Sequence, residues 1–485
     1  MKGHWINNQW VEGDVAEAIQ VHNPATEEVL GSVPAGTAAD VNVAVEAAKA
    51  AFDGWRRTPA LERAHMLHQV TARIRANWDA LVELLTLEEG KPISENEEEM
   101  EWVAGTFDYY AGLARHYRGR VVPSAEMSQL NMVLKEPYGV VGCIVPWNYP
   151  LLLMAWKVAP ALAAGNTVVI KPSGMTPLST LLMAETCWAH LPRGVVNVVT
   201  GHGRPVGETL VKHPDVPLIA FTGSLATGQH ISAQAAPMIK RLHLELGGKD
   251  AFVIAPDAEI EPSARALAYA ALINCGQVCT STERVYVADN IARDLTAALV
   301  EHVQSLRLGP GIERTTDVGP MIGEKYRANF ETHVEDARRR GAKVLIGGRR
   351  PPELGRGFFY EPTVLTGVDH SMLIMSEETF GPAIPMMTYQ TFDEAIRLVN
   401  DSQYGLGAVL RTNDARLAKT FFEEVRAGTV WINDPLTDNY AGPFGGMKMS
   451  GNARELGEEG LDSFMETKHV HWDFSPDEKD WWYPY

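Results

Sequence analysis

Cysteine is scarce in this sequence: Cys143, Cys187, Cys275 and Cys279 are the only four in 485 residues. That is too few, and too scattered, for a disulfide framework. Cys275 and Cys279 lack a second Cys/His pair at ligand spacing, so no metal site is expected. Long apolar runs are missing as well. The most apolar stretch, 139–170, is interrupted by Pro146, Asn148, Pro150, Lys157 and Pro160, which suits a buried core and not a bilayer span. Residues 1–14 contain no apolar signal core. Together with unpaired cysteines, this points to a reducing, cytoplasmic setting. Positive charge is in deficit: 43 Lys and Arg against 61 Asp and Glu give a net charge of −18. Such a surface suits solubility and excludes a nucleic-acid backbone as partner. The Gly-x-Gly-x-x-Gly fingerprint is absent too, because Gly201-His202-Gly203-Arg204-Pro205-Val206-Gly207 has the wrong spacing. No internal repeat or low-complexity segment is found.

What is present is the composition of a globular protein, 45% apolar and 21% charged, in a chain long enough to need two or more domains. Residues 37–120 are expected to be helical. Asp40 to Phe52 has apolar spacing in an alanine-rich stretch, and Thr58-Pro59 offers a helix entry with Pro at the first position. Arg120 to Glu136 is strand-like and is predicted to leave the main body. From Gly139 onwards short apolar runs (Val140–Val145, Thr167–Ile170, Val195–Thr200, Leu218–Phe221, Leu242–Leu246) alternate with helix-like segments. This alternation predicts a doubly wound parallel sheet, with ligands at the carboxyl ends of its strands. A second α/β unit is expected from about residue 248 to 447. The tail ends in Trp481-Trp482-Tyr483-Pro484-Tyr485, an aromatic cluster expected to pack on a neighbouring subunit or on its own body.

Two motifs carry the chemistry. Leu244-Glu245-Leu246-Gly247-Gly248-Lys249 sets a carboxylate at a strand end, and Gly276-Gln277-Val278-Cys279 sets a thiol on a glycine-containing segment. A thiol nucleophile and a carboxylate base suffice for covalent catalysis through a thioester. Asn148, in Pro146-Trp147-Asn148-Tyr149-Pro150, can present its amide to an oxyanion, or can simply make an Asx turn. Phe221-Thr222-Gly223-Ser224 ends a strand and opens a helix whose amino end can hold a phosphate, or is a tight turn that needs glycine. Lys171-Pro172-Ser173 places a cation on the same edge, for ribose or phosphate, or merely as surface charge.

These motifs, followed by Glu378-Thr379-Phe380-Gly381-Pro382 and Pro443-Phe444-Gly445-Gly446, occur in an order that closely resembles the aldehyde dehydrogenase superfamily of non-phosphorylating, NAD(P)-dependent enzymes. Within it the sequence is nearest to the betaine-aldehyde and general aldehyde dehydrogenases. The resemblance implies an α/β fold: a Rossmann-like cofactor domain (1–119 and 139–247), an α/β catalytic domain (248–447) and a small β oligomerisation element (120–138 and 448–485). It implies homodimers or homotetramers, a small aldehyde as substrate, and NAD or NADP as cofactor. Cys279 would attack the aldehyde, Asn148 and the Cys279 amide would hold the oxyanion, and Glu245 would activate the hydrolytic water. Lys157 and Glu455 would pass the proton outwards. Ile144, Trp147, Lys171, Ser173, Gly174, Gly203, Phe221, Gly223, Ser224, Leu246, Glu378 and Phe380 would face the cofactor. Tyr149, Trp156, Val278, Thr280 and Phe444 would line the substrate tunnel.

Three departures from the family pattern matter. Many NAD-preferring relatives read Lys-Pro-Ser-Glu, where this chain has Gly174; losing that carboxylate is expected to admit NADP. Ala453 stands where a glycine is usual, close to Glu455. Ile273 and Phe444 replace tryptophans of some betaine-aldehyde enzymes, although Tyr149 and Trp156 match aromatic positions that hold a cationic nitrogen. The expected substrate is a general aliphatic or aromatic aldehyde, with betaine aldehyde or an aminoaldehyde as the alternative. In the acidic run Glu95, Glu97, Glu98, Glu99 and Glu101, Glu101 could face the tunnel mouth, or the run could be a solvated helix face. Glu245 argues against a CoA-acylating relative, which generally lacks that base. The absence of a His in these motifs argues against a cysteine hydrolase, and the retention of Asn148, Glu245 and Cys279 argues against a non-catalytic, crystallin-like protein.

Overall fold

The structure, a computed structural model, describes residues 3–13, 18–116, 119–475 and 477–483. The end of the aromatic tail, residues 484 and 485, lies outside them. Short strands β1 (His4–Ile6), β2 (Gln9–Val11), β3 (Ala18–His22) and β4 (Val29–Pro34) precede helices α1 (Ala38–Arg57), α2 (Ala60–Ala76), α3 (Trp78–Glu89) and α4 (Ile93–Ala114). Helix α1 opens on a capping box: Thr37 Oγ1 accepts from the Asp40 amide, and Asp40 accepts from the Thr37 amide at 2.7 Å. Pro59 is the N-cap of α2 and not its first helical residue. Its ψ of 142° keeps it extended, and with Thr58 it forms the corner between α1 and α2.

After β5 (Arg120–Val122) and β6 (Gln129–Pro137), strand and helix alternate as the sequence predicts: β7 (Val140–Ile144), α5 (Pro150–Ala164), β8 (Thr167–Lys171), α6 (Leu178–Met183), β9 (Val196–Val198), α7 (Glu208–Lys212), β10 (Leu218–Thr222), α8 (Leu225–Ala235) and β11 (Arg241–Glu245). The sheet order is β11-β10-β7-β8-β9-β1-β2, parallel from β11 to β9, with the antiparallel hairpin of β1 and β2 added beyond β9. All five residues of β7, β8 and β10 are buried, which is why these strands are continuous apolar runs and not alternating ones. The order reverses between β7 and β10, so a crevice opens at their carboxyl ends.

Four residues, Leu246 to Lys249, lead from β11 into a second sheet. It is built from β12 (Asp250–Ile254), β13 (Thr282–Ala288), β14 (Lys343–Ile346), β15 (Thr363–Thr366), β16 (Ala383–Tyr389), β17 (Gly407–Arg411) and β18 (Thr429–Ile432), in the order β14-β15-β16-β13-β12-β17-β18. Helix α9 (Ile260–Leu272) joins β12 to β13. The last strand, β19 (Met465–Asp473), pairs antiparallel with β6 beside β5 in a separate three-stranded sheet. The segment just before β19 does not join that sheet: Leu461 and Phe464 are apolar and sit in the core around α5. No helix among the described residues is long and apolar enough to cross a membrane.

Candidate active site

Helix α9 stops at Leu272, and the chain then turns through three successive left-handed residues, Asn274 (φ 48°), Cys275 (φ 56°) and Gly276 (φ 71°). Each non-glycine residue in that region costs about 1–2 kcal/mol. Asn274 offsets the strain with hydrogen bonds: its amide donates to Glu95 (2.9 Å), and Nδ2 donates to the Asn148 carbonyl (2.7 Å) and to Glu89 (3.1 Å). Gly276 has no alternative, because a β-carbon there would lie 2.3 Å from the Gly381 carbonyl. The buried Gln277 side chain donates to the Asn274 carbonyl (3.0 Å) and accepts from the Ile322 amide (2.9 Å). This bracing delivers Cys279 to a fixed place.

Cys279 is half-buried where two openings meet, a cleft of about 1110 Å³ and a narrow tunnel of about 100 Å³; Asn148 also lines both. One N–H of Asn148 Nδ2 goes to the Gln277 carbonyl (3.0 Å), leaving the second for an oxyanion. Burial pushes the Cys279 thiol well above its usual pKa, and the carboxylates of Glu245, Asp250 and Glu378 add to the effect. The thiol therefore rests protonated, and nucleophilic attack needs a base. The remaining cysteines are fully buried, and burial pushes Cys143 up to about 12.

Glu245, the last residue of β11, is fully buried, and neither carboxylate oxygen has a hydrogen-bond partner among the described residues. Its side chain turns towards Gly445, with Oε2 3.1 Å from where a β-carbon would sit, and it lines neither opening. Burial, then the nearby Glu455 charge, push its pKa well above the carboxylate range, while Lys157 and Arg454 pull it down. Lys157 on α5 is buried and donates to Thr222 Oγ1 (2.6 Å) and Glu455 Oε1 (2.6 Å). Burial alone would raise Glu455, but Lys157 and His243, whose Nε2 lies 3.2 Å away, outweigh it and hold the carboxyl at about 2. His243 carries no signal in the sequence beyond being a polar residue in a strand. Ala453 fits without strain: its backbone is not left-handed, and its amide donates to the Leu244 carbonyl at 3.1 Å.

The large cleft lies at the crevice between β7 and β10, and Trp147, Lys171, Ser173, Gly174, Gly203, Phe221, Gly223, Ser224, Leu246, Glu378 and Phe380 line it. Ile144 does not. It packs in the core with Phe221 and Leu246, and the next residue, Val145, lines the wall. The residues fit a dinucleotide. Lys171 is buried, its only hydrogen bond among the described residues goes to the Pro172 carbonyl (3.0 Å), and burial lowers it to about 8. A buried cation without a carboxylate partner suits ribose hydroxyls or phosphate. Ser224 caps α8, so that helix presents its amino end to the cleft. Glu378 accepts from the Gly248 amide (3.2 Å), and a β-carbon on Gly247 would meet its carboxylate at 2.4 Å. Phe380 is left-handed (φ 51°) and is held by Glu283, which accepts from the Thr379 and Phe380 amides at 2.7 Å each and pairs with Lys249. The sequence reading missed this Glu283–Lys249 support, which joins segments far apart in the chain. Among the described residues no group of His, Cys, Asp and Glu could hold a metal ion.

The tunnel is lined by Tyr149, Trp156, Val278, Thr280 and Phe444, with Trp102, Tyr269, Ile273 and Leu436 completing the wall. The rings of Trp156 and Phe444 lie 5.0 Å apart. The acidic run on α4 is divided: Glu97 and Glu101 pair with Arg314 and Arg75 at the surface, and the others turn to the tunnel. Glu95, Glu98, Glu99 and Trp102 fall on one side of the helix, and all four line the tunnel. Glu101 lies about 100° further round and pairs outwards with Arg75 through bonds of 2.7 and 3.0 Å. Asp438, from the irregular segment after β18, also lines the tunnel; no periodicity marks it in the sequence.

A model of the aldehyde dehydrogenase family matches residues 10–470. The chain is 39% identical over 485 residues to a betaine aldehyde dehydrogenase of Bacillus subtilis, covering 98% of each. It is 40% identical over 492 residues to aminoaldehyde dehydrogenase 2 of Zea mays, covering 99% of this chain and 97% of that one. A crystal structure of betaine aldehyde dehydrogenase from Staphylococcus aureus with NAD+ superposes with a TM-score of 0.97 at 36% identity, covering 99% of this chain and 96% of that one. In fold, in motif order and in the meeting of cleft and tunnel at one thiol, the chain belongs to the aldehyde dehydrogenase family.

Proposed function

We propose that this NAD(P)-dependent aldehyde dehydrogenase acts on aldehydes that carry a cationic nitrogen and converts them to carboxylates. The observation that carries this reading is the tunnel that ends on Cys279: aromatic in its walls and lined by Glu95, Glu98, Glu99 and Asp438, with no Lys or Arg among its lining residues. Aromatic faces favour a cation, and so does an acidic lining in which Asp438 has no hydrogen-bond partner among the described residues. The betaine-aldehyde and aminoaldehyde dehydrogenases among its relatives support it.

Cys279 gives up its thiol proton to water and adds through sulfur to the aldehyde carbon, and the resulting oxyanion is held by the free N–H of Asn148 and by the Cys279 backbone amide. One such donor is worth about 3–4 kcal/mol in the transition state. When bound in the cleft by Lys171, Ser224 and Glu378, NAD(P) supplies the hydride acceptor. The acyl group left on Cys279 is a thioester, far easier to hydrolyse than an amide. Glu245 swings from Gly445 towards the thioester and takes the proton of the attacking water, and Lys157 with Glu455 offers that proton a way out. In this reading 1–119 with 139–247 binds the cofactor and 248–447 supplies the catalytic loop. The sheet of β5, β6 and β19, with Val121, Leu134 and Trp472 exposed, joins subunits into a homodimer or homotetramer in a reducing cytoplasm.

The test is NAD(P)H formation by the purified protein over matched cationic and neutral aldehydes. The expected kcat/KM is at least ~10-fold higher for cationic ones; equal or better turnover of butyraldehyde overturns the cationic reading. Gly174 offers a second test. A β-carbon there would meet only Ile19, at 3.6 Å, and Gly174 lines the open cleft. Wild-type protein is expected to use NADP as well as NAD. Gly174→Glu adds an acceptor for ribose hydroxyls and a charge that repels a 2′-phosphate. It should shift the ratio of kcat/KM values towards NAD by about tenfold or more. An unchanged ratio would show that Gly174 does not set cofactor preference.

A further inference from the structure

The carboxylates of the tunnel are not equivalent. Glu99 is committed: Oε1 accepts from the Leu151 and Leu152 amides at 3.1 and 3.0 Å, and Oε2 pairs with the buried Lys91. Glu95 accepts from the Asn274 amide at 2.9 Å and is thereby part of the catalytic loop's support. Glu98 is exposed, at the outer end of the group. Asp438 is different: it faces the same space as Cys279 and Phe444, and it has no hydrogen bond or ion pair among the described residues. Burial is the one influence acting on it, and pushes its carboxyl up to about 7. It is the inner tunnel's acceptor without a partner of its own.

The aromatic wall keeps Trp102, Trp156 and Tyr269 for a cation, but it does not close into a full cage for a quaternary ammonium. Lys91 sits over the Tyr149 ring, 3.7 Å from its centre, so that ring already serves one cation. Ile273 offers no aromatic face, and Phe444 is a weaker cation host than tryptophan. A trimethylammonium has no N–H and depends on such faces. A primary ammonium has three N–H donors, and must replace their lost hydration with acceptors when it enters a buried tunnel.

We propose that Asp438 is a specificity-determining residue that makes this enzyme select aldehydes with a primary ammonium over those with a trimethylammonium. This inference rests on the cationic-aldehyde reading above and deepens it. Asp438 accepts hydrogen bonds from the ammonium while the aldehyde carbon lies at Cys279, so it sets binding of the distal end, and its charge adds only a minor part to the raised pKa of the thiol, after burial and Glu245.

The experiment compares wild type, Asp438→Asn and Asp438→Glu with saturating NAD on 4-aminobutyraldehyde, betaine aldehyde and butyraldehyde. Wild type should favour 4-aminobutyraldehyde over both others. Asp438→Asn should lower kcat/KM for 4-aminobutyraldehyde about 10- to 100-fold, chiefly through KM, and change betaine aldehyde and butyraldehyde less than about threefold. Asp438→Glu should recover part of the loss. Acylation of Cys279 by p-nitrophenyl acetate, measured without cofactor, should be retained in both variants and be no slower in Asp438→Asn, which removes a charge that raises the thiol's pKa, and this separates selection from misfolding. If wild type shows no preference for either cationic aldehyde over butyraldehyde, the cationic reading itself fails. If the cationic preference holds but Asp438→Asn lowers betaine aldehyde and 4-aminobutyraldehyde equally, or lowers neither, the role of Asp438 is overturned. If the Asn variant loses acylation, Asp438→Glu alone decides by whether it keeps the preference for the primary ammonium.

Discussion

Cys279→Ala is expected to abolish aldehyde oxidation, lowering kcat on the order of 10⁴- to 10⁶-fold, while the protein still folds and still binds NAD(P). The size of the loss follows from the lack of any substitute. Cys143, Cys187 and Cys275 are fully buried, their thiols raised by burial, and none lines the cleft or the tunnel. Water cannot replace the thiol either, because the route to the acid passes through a covalent adduct from which hydride leaves. Folding should survive because the loop is held by Asn274, Gly276 and Gln277, none of which uses the Cys279 sulfur. Thermal stabilisation by NAD(P) in the variant, beside a flat absorbance trace at 340 nm, would show both halves of the expectation. Residual turnover above about one part in a hundred would remove Cys279 from the mechanism. Cofactor binding without turnover in the wild type, across all aldehydes, would instead favour a binding protein built on this fold.

Much of this site was legible in the sequence, for a physical reason. Parallel strands buried on both faces must be short apolar runs, so β7, β8 and β10 stand out, and residues at their carboxyl ends are where ligands bind. That rule puts Lys171 and Ser224 at the edge where ligands bind, and the family resemblance, not the rule, favours cofactor contact over surface charge or a tight turn. Ile144, named through the family correspondence, lies in the core beside the cleft and not among its lining residues. Glu101 was misplaced by one step of helical phase: moving from 101 to 102 rotates a side chain by about 100°, enough to exchange the outer surface for the tunnel. Asp438, His243 and Glu283 act through partners distant in the chain. No local pattern encodes that Glu283 meets residues 379 and 380, or that His243 meets Glu455. Strand β1 is of the same kind, being three residues long and joined to β9 through a single register pair, Trp5 with Val198.

Glu245→Gln separates the two halves of the reaction. The expected trace is a rapid burst of NAD(P)H, close to one equivalent per subunit, followed by steady turnover about 10²- to 10⁴-fold slower than wild type. The burst belongs to formation of the thioester, and the slow phase to its hydrolysis without a base. The sign of the pH dependence supports the assignment. Glu245 has a raised pKa, so its base form is scarce at low pH and grows as pH rises; wild-type kcat limited by hydrolysis should climb with pH. That limb should vanish in the glutamine variant, which has nothing to titrate at this position. Glu455, held at about 2, stays ionised throughout and cannot produce such a limb. The burst also reports who deprotonates the thiol. Cys279 itself rests protonated, so a full-sized burst formed at the wild-type rate means that some other route takes its proton. A burst of full size but slow onset means that Glu245 serves both steps, first for the thiol and then for water. Loss of the burst altogether, with the fold and cofactor binding intact, would move Glu245 out of hydrolysis and into acylation alone.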